Sequence, residues 1–228
     1  DLLRHRASQG LLRPIDDLWA KWGYSEDMFL PGVAAETVWE GKRYSVPLDV
    51  HPLLLYYNRS HLQEAGIAGP PTTAEEFLDQ ARKLTRRDGG EVTRWGTRFG
   101  MWGPQFYTLL RQRGGDYFGG DGYTQVTIDN EAGVSAMQYI HDLMFEQQIA
   151  PLPEFWPDPY KLEVSLFVDG IWFLKGFQDN RDLVDIHVAP ADTIYGDADR
   201  AVWAGSHQFV FFRQLNEDPE RIEAAMTF

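Results

Sequence analysis

Large flat rings with a polar edge are the side chains here best suited to holding a ligand. Phe, Trp and Tyr make up 14% of the chain and 8 residues are Trp, enough to serve both a core and a binding surface. A sugar presents weakly apolar C–H faces and a rim of hydroxyls. Its site therefore needs one or two aromatic platforms and a ring of Asp, Glu, Asn, Gln, His or Arg side chains. A single Trp is more often core than platform. Those flanked by glycine and polar residues in expected loops or strand ends are Trp102, Trp156, Trp172 and Trp203.

Reactive groups are sparse by comparison. There is no Cys, which excludes a thiolate nucleophile, a disulfide framework and a Cys-ligated zinc. No phosphate loop, dinucleotide fingerprint, Gly-x-Ser-x-Gly elbow or His-Glu-x-x-His helix occurs. The six histidines (His5, His51, His61, His141, His187, His207) show no ligand spacing, so no metal and no cofactor is expected. Asp116 to Gly122 lacks the alternating oxygen ligands of a calcium loop and reads as a turn. Asn58-Arg59-Ser60 matches a glycosylation sequon, a pattern short enough to arise by chance. A glycoside hydrolase or lyase would need two carboxylates across the scissile bond, and no Asp or Glu pair stands out.

With 21 Lys and Arg against 34 Asp and Glu, the net charge is −13 and no dense basic run exists, so nucleic acid is not an expected partner. No apolar stretch is long enough to span a bilayer. Any export leader or lipid-anchor segment is expected to lie outside these 228 residues.

The elements that must position the rings alternate along the chain. Leu12, Ile15, Leu18, Trp19 and Trp22 predict a helix between Leu11 and Trp22, with Pro14 in its first turn. A small turn feeds a strand ended by Pro47, and Leu53 to Tyr57 predict a second strand. Thr73 and Glu76 form a capping box ahead of Phe77, Leu78, Ala81 and Leu84. Arg86 to Thr93 reads as a polar break, Tyr107 to Arg113 as a helix ended by Gly114-Gly115. Asp129 or Asn130 caps a helix whose apolar face is expected at Val134, Met137, Ile140, Leu143 and Met144. Val164 to Val168, Val184 to Val188 and Gln208 to Phe212 predict strands, and Asp218-Pro219 opens a final helix. This interspersion is that of an α/β protein without internal repeats.

Three separated blocks then carry a resemblance: Gly41-Lys42-Arg43-Tyr44-Ser45-Val46-Pro47, Leu54-Leu55-Tyr56-Tyr57-Asn58-Arg59, and Pro70-Pro71-Thr72-Thr73-Ala74-Glu75-Glu76-Phe77 after Ala65-Gly66-Ile67. In this order they resemble the signature of the extracellular solute-binding proteins of sugar ABC importers, the family of the maltose-binding protein. Gly114-Gly115-Asp116, Ile128 to Leu143, Leu166 to Trp172 and Val202 to Ser206 are similar to later blocks of the same family. The likeness runs from about Leu11 to Phe228. Where the family carries a Phe-x-x-Gly segment before the strand at Val164, this chain has Lys161-Leu162-Glu163 directly after Tyr160.

The resemblance implies a two-lobe, periplasmic-binding-protein-like α/β fold with an interlobe cleft and crossing hinge strands, incomplete at both ends. Lobe one would comprise residues 1–51 and 187–228, and lobe two residues 52–186. It implies a sugar or oligosaccharide bound in the cleft, delivery to the membrane permease of an ABC importer, a monomer, no catalysis, and a place in the periplasm or anchored to the outer face of the cell membrane. Sugar alcohols and glycerol phosphates are also ligands within the family. Trp172 and Trp102 would supply stacking faces, with Gln105 near Trp102. Asp49 and His51 would sit at the hinge, and Trp203, Gly205, Ser206 and His207 would line the first-lobe wall. Tyr107 and Trp156 are second-tier candidates, since a helix face and a Pro-rich loop each give them a structural role. A receptor or adaptor without transport would share this surface.

Overall fold

The computed structural model describes residues 2–121, 124–214, 216 and 218–227. Helices α1 (Leu2–Ser8), α2 (Asp16–Lys21) and α3 (Pro31–Glu36) lead into the short strands β1 (Val38–Trp39), β2 (Lys42–Arg43) and β3 (Ser45–Pro47). Then come β4 (His51–Asn58), α4 (Arg59–Glu64), α5 (Ala74–Leu84), β5 (Arg86–Asp88), β6 (Glu91–Arg98) and α6 (Gly103–Gln112). A two-strand ribbon, β7 (Phe118–Gly119) and β8 (Gln125–Val126), precedes α7 (Glu131–His141) and β9 (Val164–Gly170). The chain closes through α8 (Leu174–Asp179), β10 (Ile186–Ala189), β11 (Ala204–Gly205), β12 (Gln208–Val210) and α9 (Pro219–Thr227).

Contacts divide the chain into two compact units, residues 1–50 with 205–228, and residues 51–204. Residues 187–204, which the resemblance assigned to lobe one, fall in the second unit. There β10 is paired antiparallel along β4, and Ala191, Ile194 and Tyr195 are buried in that unit's core.

In the first unit β3 pairs antiparallel with β12 (Val46 opposite Phe209) and Leu12 bridges Phe212. Ile15, Leu18 and Trp19 pack with Phe211, Ile222 and Met226. The helix expected from Leu11 is therefore shorter. The backbone of Leu11 and Arg13 bonds to residues 213 and 211, which holds that stretch extended, and α2 starts only at Asp16. Apolar spacing of three and four served both geometries, because the extended segment buries Leu12 and the helix buries Leu18 and Trp19.

The second unit is built on a sheet in the order β10-β4-β9-β6-β5, with β6 and β9 parallel and the other pairs antiparallel. Its central strand β9 is buried at every residue, as a strand covered on both faces must be. Leu53, Leu55, Leu166 and Val168 face a layer from α5, α6 and α7 that includes Phe77, Leu109 and Ile140. Tyr56 and Phe167 face the other side, stacked at 5.1 Å and packed on Phe177. α5 begins as expected, with Thr73 Oγ1 accepting from the Glu76 amide, although Glu76 reaches back to the amide of Thr72.

Other expectations change. Residues 86–93 form most of the β5–β6 hairpin around Gly89-Gly90, since polar side chains suit an edge strand whose backbone bonds are met by a neighbour. α6 starts four residues early, at Gly103. Asn130 caps α7 by accepting from the Gly133 amide, but Val134 and Met137 are 66% and 51% exposed; Ala136, Tyr139 and Ile140 form the buried face. Asn58 is 1% exposed and caps α4 by accepting from the His61 amide, so the sequon is structural. Of the expected turn at Asp116 to Gly122, residue 122 lies outside the described residues.

Candidate functional site

Four rings meet at one end of the second unit's sheet. Strands β6 and β9 run parallel, so the segments leaving their C-terminal ends emerge on the same side; β4 is antiparallel to β9, so its first residue lies there too. That geometry brings Trp102, four residues past β6, beside Trp172, two residues past β9, and both near His51 at the head of β4. Trp203 joins them because its carbonyl accepts from the Leu53 amide (3.1 Å) and its amide donates to Thr108 Oγ1 of α6 (2.9 Å). Ligands of open α/β sheets gather at this carboxyl end of the strands.

The rings close into a cycle. His51 lies 5.9 Å from both Trp172 and Trp203, and Trp102 lies 5.7 Å from Trp172 and 6.1 Å from Trp203, all at interplanar angles of 60–75°. Edge-on packing of this kind is favourable between aromatic quadrupoles and leaves indole faces open. Trp102 stays 37% exposed and Trp172 48%. Adjoining exposed apolar surface of this kind marks an interaction site.

The cycle rests on a rigid base. The Trp172 ring lies against Gly170, where a Cβ would fall 2.1–2.3 Å from its atoms. Gly170 is pinned in turn: its amide donates to Asp169 Oδ1 (2.9 Å) and its carbonyl accepts from the Tyr56 hydroxyl (2.7 Å). Asp169 Oδ2 accepts from Arg98 Nη2 (3.0 Å) in a pair whose side chains are 8% and 3% exposed. Burial pushes the Asp169 carboxyl up and Arg98 down to about 10, each held in its charged form by the other. The same guanidinium sits 4.0 Å over the Trp156 ring, which is worth roughly 0.5–2 kcal/mol as a cation–π contact.

The other expected residues divide. Gln105 is 2% exposed; its side chain accepts from the Gly100 amide (2.8 Å) and donates to the Tyr195 hydroxyl (2.9 Å), so both its polar atoms are engaged in holding the turn below Trp102. Trp156 is half exposed but packs on Arg98 and Gly100, apart from the ring cycle. Tyr107 lines a pocket of about 520 Å3 that has Trp203 as another wall. In the first unit, the His207 amide and ring nitrogen Nδ1 meet the two oxygens of Asp49 at 2.7 and 2.8 Å, and Ser206 Oγ donates to the His207 carbonyl (3.3 Å) beside Gly205. Sequence reasoning missed the base under the rings and the pocket's Arg111 and Asp116. Asp169 directly before the Gly-x-Trp run was a readable signal for the first. Asp116 follows the Gly114-Gly115 pair of the resemblance, and nothing local marked Arg111.

Comparison with known proteins follows this geometry. A family model described as bacterial extracellular solute-binding protein matches residues 1–205. An arabinooligosaccharide-binding protein of Halalkalibacterium halodurans is 25% identical over 150 residues, which is 62% of this chain and 33% of the relative. An ABC substrate-binding protein of Listeria monocytogenes solved with cycloalternan superposes with a TM-score of 0.84 at 20% identity, over 98% of this chain and 57% of that one. The GacH receptor of Streptomyces glaucescens, solved unliganded and with acarbose, does so with a TM-score of 0.79 at 26% identity, over 98% and 57%. This chain thus spans about a third of the curated relative and little more than half of the solved ones.

Proposed function

This chain belongs to the bacterial extracellular solute-binding protein family, and from that premise we propose that it captures a sugar on the tryptophan face of residues 51–204 for delivery to the membrane permease of an ABC importer. The two-lobe fold is that of its solved neighbours. The observation that carries the reading is the four-ring cycle of His51, Trp102, Trp172 and Trp203, with two indoles open to solvent. Indole faces take the C–H faces of a pyranose or furanose, and the His51 imidazole adds a hydrogen-bonding edge.

The protein works as a binder and not as an enzyme. Asp169, the carboxylate beneath the Trp172 seat, has one oxygen on Arg98 and the other on its neighbour's amide, a poor state for a general acid or nucleophile. No helix among the described residues is long and apolar enough to cross a membrane. The family's extracellular character supports a place outside the cytoplasm; in this reading the protein acts as a monomer, in the periplasm or anchored to the outer face of the cell membrane.

Thermal shift across a panel of sugars, with product analysis of each incubation, tests the reading. A sugar that binds stabilises the native state by mass action, and Trp172→Ala is expected to weaken it at least tenfold. Sugar turnover, or an affinity within twofold of the parent after Trp172→Ala, would refute it.

A further inference from the structure

The pocket behind Trp203 points to the size and charge of the ligand. We infer that it is a second sugar subsite, so that the bound solute is a neutral oligosaccharide with one residue on the tryptophan face and the next beside Tyr107. This rests on the sugar-binding reading of the tryptophan face and extends it across Trp203, the side chain the two sites share.

Its volume of about 520 Å3 falls within the range of roughly 300–1,000 Å3 usual for small-molecule sites. The walls are of the right kind. Tyr107 and Tyr117 stack at 5.1 Å and 16°, a flat aromatic flank, and Phe118 adds an apolar surface that is 49% exposed. Hydroxyl partners stand between them. Asp116 accepts from the Tyr107 hydroxyl (3.2 Å) and from Arg111 Nη1 (2.6 Å), while the other terminal nitrogen of Arg111 bonds Asp199. Asp116 Oδ1 also accepts from the Tyr117 amide (2.7 Å), so it is Oδ2 that keeps a lone pair for the O–H donor of a sugar.

Charge decides which polar solute fits. One guanidinium against two carboxylates leaves this cluster with a net charge of about −1, and Arg111 is held in its cationic state by Asp199 and Asp116. A phosphate-bearing solute would meet the Asp116 carboxylate and a cation already saturated by Asp116 and Asp199, whereas a neutral sugar meets no such repulsion. The pocket is also built before ligand arrives. Tyr107 and Arg111 sit one turn apart on α6, and the same helix holds the Trp203 backbone through Thr108.

Calorimetric titration of the protein with arabinose and arabinotriose, mannose and mannotriose, glucose and maltotriose, and glycerophosphocholine tests the subsite. In at least one sugar series the trisaccharide is expected to bind at least tenfold tighter than its monosaccharide. Phe118→Ala should lower that ratio at least threefold, and so should Tyr107→Phe, which keeps the ring and removes only the hydroxyl. Trp172→Ala should weaken both members of the pair together. A ratio near one, or a ratio moved by neither variant, overturns the second subsite while leaving the first standing. If Trp172→Ala spares both affinities, the tryptophan face itself is wrong. Binding of glycerophosphocholine above every sugar, or of no sugar at all, overturns both.

Discussion

At the scale of single residues, the decisive contact is the one between Gly170 and the Trp172 indole. Gly170 has φ −77°, a backbone geometry any residue adopts, so its lack of a side chain is needed for the ring alone. Gly170→Ala should push the indole off its seat while leaving β9 in place, since the amide and carbonyl of residue 170 stay bonded to Asp169 and Tyr56. The expected outcome is a loss of sugar affinity close to that of Trp172→Ala, about tenfold. In the double variant the two losses should not add, because both remove the same platform. Calorimetry of the four-member cycle measures this, and fully additive losses would show that Gly170 acts elsewhere. A substitution that merely loosened the fold would lower the melting temperature without this non-additivity.

At the scale of elements, α4 docks on β9 through one buried polar contact, His61 Nδ1 to Ser165 Oγ at 2.9 Å, with both residues at most 5% exposed. Burial, reinforced by Arg94, drops the His61 pKa to about 4. The unfolded chain binds a proton near pH 6.5 that the folded chain refuses until about pH 4, so this group's stability is full above 6.5 and is lost as pH falls between those values. By pH 5 the loss is about 2 kcal/mol. Carboxylates with lowered pKa, such as Glu64 and Glu76, act at more acid pH. His61→Gln should therefore flatten the decline in urea midpoint between pH 7 and pH 5; an unchanged slope would mean that another group titrates there. Such contacts also mark how far sequence reaches. Thr73 before α5 and Asn130 before α7 were legible because a cap is a local device, three residues long. The β5–β6 hairpin was not, because Arg86, Arg87, Glu91 and Arg94 read as solvent and the pairing of β6 lies with β9, some seventy positions later. Trp102, Trp172 and Trp203 stood out by their flanks, yet their meeting with His51 follows from strand order, which no spacing encodes.

At the scale of the whole molecule, the two units differ in how much they bury. Residues 51–204 carry a continuous core from Leu53 through Tyr195 on one face of the sheet and a second cluster around Tyr56, Phe167 and Phe177 on the other. Residues 1–50 with 205–228 hold two small clusters, one of Ala7, Leu12 and Tyr44 and one of Ile15, Leu18 and Trp19. Small cores leave a larger share of their surface wet and open at lower free energy. Hydrogen exchange should then be slowest at the amides of β9 and of Leu55 to Tyr57, which are flanked by strands on both sides. Exchange in α2 and α9 should be about a hundredfold faster or more, reporting a sub-global opening of the first unit. Because the tryptophan face is built wholly from the second unit, its rings should stay ordered through that opening, with Trp102 and Trp172 emission unchanged while α2 exchanges. Equal protection in the two units would mean that the chain unfolds as one cooperative body, and that division of stability would have to be abandoned.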